Sequence, residues 1–268
     1  MIAQSSGTLW DMTRLASVIT LIGAGGKTTA LQSLTAEIHA QGKKVIGTTT
    51  TKVYPMPFKA LWKSPVLPPP IESEYPCFWY ADEDDKNCKW IGPTVDILDQ
   101  ALRLREPLES QKNNVWVIEG DGAHEKKLKC WDSHEPQIPF ESQCAILMIH
   151  GELWGKILTE DEIHRPEKCP DLVGRAWSGE AAAEYILSSP VFYSRHQALS
   201  WIVLFNEYDV GNPEYFKNTF DIERTIDCLE KHLVNHFSQV EKQDIKPLHL
   251  RIASGNVKEG RIRWYDLW

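Results

Sequence analysis

The sequence predicts an α/β fold: a mostly parallel sheet flanked by helices. A β-branched apolar run, Val18–Ile22, is followed by a glycine loop, a segment with helical spacing and a second apolar run, Val45–Thr49. Two strands joined by a helix almost always form a right-handed parallel crossover, so the first fifty residues already specify such a sheet. Further strand-length apolar runs at Val115–Ile118, Ala145–Ile149 and Ile202–Phe205 extend it.

The first helix is read from Ala30, Leu31, Leu34 and Ile38, and should stop at Gly42, which can take the left-handed cap; Lys43 and Lys44 suit the negative end of the helix dipole. Between about residues 54 and 93 prolines at 55, 57, 65, 68, 69, 70 and 76 and an acidic patch, Asp82–Asp85, indicate a surface excursion with one strand at Cys77–Ala81. Val95, Leu98, Ala101, Leu102 and Leu104 predict a helix returning the chain to the sheet. Thr159–Leu199 reads as mostly helical. Ile222, Ile226, Leu229, Leu233 and Phe237 then mark an amphipathic helix, and Leu248–Ala253 and Arg261–Tyr265 two closing strands. The whole chain, 1–268, is read as one domain carrying the proline-rich excursion.

Composition bounds the function. With 29 Lys and Arg against 37 Asp and Glu the net charge is −8, which argues against bulk electrostatic binding to nucleic acid or an anionic membrane. Hydrophobic residues at 42% provide for a real core and exclude global disorder. No apolar stretch approaches the roughly 20 residues that span a bilayer. The first residues show no secretory pattern, and the six cysteines form no CxxC pair. Reduced thiols and a cytoplasmic location are therefore expected.

The chemistry is expected around Gly23-Ala24-Gly25-Gly26-Lys27-Thr28-Thr29. Small residues between a strand and a helix let successive amides face phosphate oxygens, and the helix N-terminus adds partial positive charge. Lys27 would reach the β- and γ-phosphates of a nucleoside triphosphate, and the Thr28 hydroxyl would ligate Mg²⁺. Only the second half of a G-x-x-x-x-G-K-[ST] loop is present, because Leu21 stands where its first glycine belongs. A tight turn with an incidental lysine is the simpler alternative. Glu119 and Asp121, at the carboxyl end of an apolar strand, project to one side of an extended chain and can face the loop together. One would hold Mg²⁺ and the other orient water. Thr48–Lys52 ends the second strand on the same edge, with Thr49 a candidate for the metal's surroundings. Asn206 and Asp209 form an N-x-x-D pattern like the base-reading motif of GTPases, with Glu207 where a lysine would stack. His134-Glu135 and His164-Arg165 are further candidates, for proton transfer or metal binding and for anion contact.

Taken in order, the G-A-G-G-K-T-T loop, Thr48–Lys52, V-W-V-I-E-G-D-G at Val115–Gly122, Lys129, H-E-P-Q-I-P at His134–Pro139, H-R-P at His164–Pro166 and Asn206–Asp209 resemble the YqeC family, over about Ser17 to Asp209. The resemblance implies a P-loop NTPase-like three-layer architecture and a part in maturing a selenium-dependent molybdenum hydroxylase or its cofactor. Departures are Gly120 in place of an expected alanine, the charged segment Ala123–Lys129, and Glu207.

Three activities fit these features. One is a Mg²⁺-dependent nucleoside triphosphatase using GTP or ATP, with Lys27, Glu119, Asp121, His134 and Glu135 as its reactive groups and a molybdenum hydroxylase or its maturation machinery as partner. Another is a ligase or kinase, since the short loop also resembles that of Mur-type ligases; His134, Glu135, His164 and Arg165 would then build an acceptor pocket. The third is a non-catalytic, nucleotide-gated chaperone or scaffold.

Overall fold

The computed structural model describes residues 4–104, 114–207, 222–239 and 247–268. Its main sheet has ten strands in the order β1-β15-β14-β13-β11-β2-β9-β3-β6-β5. The strands are β1 (Gln4–Gly7), β2 (Val18–Gly23), β3 (Lys44–Thr49), β5 (Ala60–Lys63), β6 (Cys77–Tyr80), β9 (Asn114–Glu119), β11 (Cys144–His150), β13 (Ser200–Asn206), β14 (His249–Asn256) and β15 (Arg261–Asp266). From β14 across to β5 every neighbouring pair is parallel; only β15 runs against its neighbours. The expectation of a mostly parallel α/β sheet is met. Strands β2, β9, β11 and β13 are buried along nearly their whole length, which explains their unbroken apolar runs.

Helices cover both faces. On one lie α1 (Leu9–Met12) and α2 (Lys27–Ala40), whose Ala30, Leu31, Leu34 and Ile38 pack on Ile19, Leu21, Val117 and Met148. The stripe recurs at three and four residues, as a single buried face requires. After Gln41 the chain turns at Gly42 with φ +79°, the left-handed cap expected there. On the other face α3 (Val95–Leu104) sets Leu98 and Leu102 against Trp79, Trp116 and Ile118. Beside it α4 (Gly179–Ser188) and α5 (Ile222–Gln239) close over Leu147, Val203, Phe205 and Ile252.

Three expectations need correction. The proline-rich excursion holds more than one strand: β5 and β6 extend the main sheet, while β4 (Lys52–Val53), β7 (Asp82–Asp84) and β8 (Lys89–Ile91) form a separate three-stranded sheet. Trp90 of β8 packs it on Phe78 and Tyr80 of β6, with Tyr80 stacked on Trp90 at 5.0 Å. The stretch Thr159–Leu199 is mostly not α-helical. It contains β12 (Ile163–His164), paired with β10 (Leu128–Lys129), and short 3₁₀ turns at Pro166, Pro170 and Pro190; α4 is its α-helix. Proline fixes φ and removes a donor, so helical runs stop there. Finally, the cysteines are not all reduced: Cys130 and Cys169 are disulfide-bonded, with Cα atoms 6.2 Å apart.

Gly92, just after β8, fixes how the small sheet meets the main one. Its amide donates to the Thr51 carbonyl at 2.9 Å, and a Cβ there would collide with the Thr49 backbone carbonyl. Since backbone cannot yield as a flexible side chain can, Gly92→Ala should lower stability by about 3 kcal/mol. At roughly 2–4 °C per kcal/mol this is a visible fall in the melting temperature; an unchanged thermal transition would show that the sheets can part freely.

Candidate functional site

The carboxyl ends of β2, β9, β3, β11 and β13 share one edge of the sheet. After β2 the chain adds β3, β5, β6 and β9 on one side and then β11, β13 and β14 on the other, and α/β folds gather ligands at such a change of side. The glycine loop leaves β2 there and enters α2. Gly23, Gly25 and Gly26 have φ of +88°, +93° and +108°, all in the left-handed region. A Cβ on Gly25 would collide with the His150 backbone, and one on Gly26 would lie 2.6 Å from Asn206 Nδ2. Asn206, 1% exposed at the end of β13, donates to the Gly25 carbonyl at 2.8 Å and accepts from the Val257 amide at 3.3 Å. It holds the loop from beneath; Asp209 lies outside the described residues.

Two of the loop amides are taken by protein. Gly23 N–H donates to both carboxylate oxygens of Asp121 at 3.1 Å, and Ala24 N–H to the Met148 carbonyl at 3.0 Å. Among the described residues no protein group accepts from the amides of Gly25, Gly26, Lys27, Thr28 or Thr29. These five residues line a cleft of about 870 Å³, shared with Glu119, Thr51, Lys52, Tyr54, Lys89, His124 and His150 among others. A helix N-terminus with free amides and a left-handed glycine approach attracts anions.

The two acids divide their work. Glu119 faces the cleft, accepts from Thr28 Oγ1 at 3.0 Å and lies 3.8 Å from Lys27 Nζ. Its full burial raises the carboxyl pKa above the ordinary range, against the pull of Lys27 and Thr28. Asp121 points beneath the loop. Besides Gly23 it accepts from Trp131 Nε1 at 2.8 Å and pairs with Lys27 at 3.3 Å and Lys129 at 3.4 Å, its side chain wholly buried. Lys27, 5% exposed, also donates to the Gly23 carbonyl at 2.5 Å.

Several predicted residues therefore stand elsewhere than expected. Asp121 does not line the cleft; it anchors the loop. The Thr49 hydroxyl, fully buried, donates to the Glu119 carbonyl at 3.0 Å and braces the strand end. Glu135 pairs with Lys129 at 3.2 Å and with Arg165, while His134 is exposed; neither lines the cleft. The motif residues converge nonetheless: Lys27, Asp121, Lys129, Glu135 and Arg165 form one chain of alternating charge running from the glycine loop to the H-R-P turn. Lys129 is wholly buried and also donates to the Gly122 carbonyl at 2.5 Å. Sequence reading missed Trp131, His150 and Lys89 of the small sheet. Of these only His150, at the end of an apolar strand, carried a positional signal.

The fold and the cleft define an α/β protein whose glycine-rich loop opens a helix at the carboxyl edge of a parallel sheet, beside a buried carboxylate. The family model described as YqeC protein matches residues 19–167. A relative from Escherichia coli (strain K12), "Uncharacterized protein YqeC", is 32% identical over 167 residues, covering 59% of this chain and 61% of the relative. The chain belongs to the YqeC family. No solved structure matches it. Among the described residues no helix is long and apolar enough to cross a membrane.

Two predictions follow from the charge chain. Lys129→Met would leave Asp121 and Glu135 short of a buried cation, so urea unfolding should show a loss of about 3–5 kcal/mol; a loss under about 1 kcal/mol would mean that Lys129 is not what balances them. His164, stacked on His124 at 4.8 Å, is held at about 4 by burial and by Lys129, against an ordinary 6.5. The unfolded chain takes up this proton below pH 6.5 while the fold refuses it until about 4, so stability is full above 6.5 and falls between these values. His164→Asn should flatten the melting profile across that window; parallel profiles for parent and variant would contradict the assignment.

Proposed function

We propose that this chain is a Mg²⁺-dependent nucleoside triphosphate-binding protein that hydrolyses GTP or ATP and serves as an accessory factor in the maturation of a selenium-dependent molybdenum hydroxylase. The observation that carries the nucleotide reading is the row of amides, Gly25 to Thr29, without an acceptor at the N-terminus of α2, opening on a cleft beside Lys27. The maturation role rests on the family resemblance.

In this reading the amides of Gly25–Thr29 cradle the polyphosphate. Lys27 exchanges the Gly23 carbonyl and Asp121 for the β- and γ-phosphates. Asp121 keeps Lys129, Trp131 and the Gly23 amide, so losing Lys27 does not strand it. The donor set fits magnesium: Thr28 and Glu119 offer hard oxygens, and Mg²⁺ commonly takes one or two protein oxygens, with phosphates and water completing its shell. Glu119 is buried with its charge only partly balanced, which such a cation would relieve. When bound, the ion would neutralise charge on the phosphate oxygens. No group of three or more His, Cys, Asp or Glu suited to hold a metal occurs among the described residues.

A second reading, ligase or kinase, draws on the far wall of the cleft, where Lys52, Tyr54, Asp84, Asn87 and Lys89 leave room for an acceptor. Product analysis separates the two: free phosphate with no new bond for a hydrolase, nucleoside diphosphate matched by a new covalent product for a ligase or kinase.

Lys27→Ala should reduce Mg²⁺-nucleotide affinity at least about 100-fold in a fluorescent-nucleotide titration, equivalent to about 2.8 kcal/mol. Glu119→Gln should abolish the gain in affinity that Mg²⁺ brings while leaving metal-free binding in place. Parent-like affinity in Lys27→Ala would remove the phosphate-loop assignment.

A further inference from the structure

We propose that Cys130–Cys169 is a redox-active pair, reducible by a dithiol, whose state controls the order of the glycine loop.

The pair is placed where its state must be felt. Cys130 sits between Lys129 and Trp131, and both of these neighbours hold Asp121: Lys129 by an ion pair at 3.4 Å, Trp131 by an N–H bond at 2.8 Å. Asp121 in turn fixes the Gly23 amide and Lys27 at the head of the loop. On the other side Cys169 follows the H-R-P turn, whose Arg165 pairs with Glu135, which pairs back to Lys129. The disulfide thus closes a ring of contacts around Lys129. The backbone joins the same segments: β10 pairs with β12 in the register Lys129 to His164, and the Cys130 amide donates to the His164 carbonyl at 3.0 Å. Without the S–S bond the turn is held to this segment by noncovalent contacts alone: the two-residue ladder, the Lys127 and Leu128 amides on the Glu162 carbonyl, the Lys168–Asp132 ion pair at 3.2 Å and the Glu135 pairings.

The chemistry is selective for this pair. Cys77 and Cys144 are buried, their thiols pushed by burial up to about 11 and about 12, so they stay protonated. Cys88 is exposed and Cys228 half-buried, and neither is bonded to another cysteine. Within the pair Cys130 is 5% exposed and Cys169 half-buried, so Cys169 Sγ is the sulfur that a thiolate can reach. A thiolate of the dithiol attacks Cys169 Sγ, the S–S bond breaks, and Cys130 leaves as a thiolate that takes up a proton. The second thiol of the dithiol then displaces Cys169. Two electrons and two protons have passed to the protein, and the dithiol is left as a disulfide.

The test compares air-oxidised and dithiothreitol-reduced protein, with alkylation and mass spectrometry reporting which cysteines are bonded. Hydrogen–deuterium exchange is followed in peptides covering residues 23–29, and Mg²⁺-nucleotide affinity is titrated in parallel. Reduction should open Cys130 and Cys169 together, speed exchange across the loop and change nucleotide affinity by roughly five-fold or more, the usual lower range for coupled sites. Cys169→Ala should behave as the reduced protein whatever the treatment, and Cys88→Ser should respond as the parent does. The proposal is overturned if Cys130 and Cys169 alkylate freely in the oxidised protein, if dithiothreitol never opens them, or if loop exchange is the same in both states. The affinity readout rests on the nucleotide reading above, whereas the exchange readout does not; a redox-dependent loop that binds no nucleotide in either state would count against that reading alone.

Discussion

Everything at the carboxyl edge of the sheet depends on satisfying the buried carboxylate of Asp121. Removing a carboxylate from water costs several kcal/mol, and one cation at 3.3 Å returns about 5 kcal/mol at an effective dielectric constant of 20. A single partner therefore leaves little margin. Asp121 takes two lysines and two N–H donors, and they come from three segments: Lys27 from α2, Gly23 from the end of β2, Lys129 and Trp131 from β10 and the residues after it. Satisfying one charge thus fixes the relative positions of three chain segments. Lys129, equally buried, passes the requirement on to Glu135 and Arg165. An alternating chain is the arrangement in which no interior charge is left alone.

The same network explains why the loop can be both rigid and receptive. Its first two amides are tied down, by Asp121 and Met148, while the next five stay open. Asn206 holds the Gly25 carbonyl from the side of β13. Anchoring at the head and flank leaves the N-terminus of α2 facing the cleft with its dipole unopposed by protein acceptors. Thr28 and Glu119, joined at 3.0 Å, set an oxygen pair beside it.

Much of this was legible in the sequence, and the boundary has physical causes. Central strands showed because burial on both faces demands continuous apolar runs, and α2 because its stripe and Gly42 cap are local signals. Strands β5 and β7 did not show. One alternates half-exposed residues and the other is acidic, so their pairing is decided by neighbours rather than by composition. The stretch 159–199 carries helix-forming residues, yet Pro166, Pro170 and Pro190 cut it into short turns. At the site, Glu119 and Asp121 both lie near Lys27, at 3.8 and 3.3 Å, but strand parity put both of them facing the loop. It could not reveal that Asp121 would be sealed under the loop, because Lys129 and Trp131 arrive from a later segment. Likewise, 39 residues separate Cys130 from Cys169, and no spacing rule links them.

The central claim concerns particular amides, so backbone NMR tests it most directly. Adding a Mg²⁺-nucleoside triphosphate to ¹⁵N-labelled protein should move the Gly25, Gly26, Lys27, Thr28 and Thr29 resonances downfield as they gain phosphate acceptors. The Gly23 and Ala24 resonances, already bonded within the protein, should shift far less. Perturbations confined to other parts of the chain, with the five amides unmoved at saturation, would contradict the loop as a polyphosphate cradle.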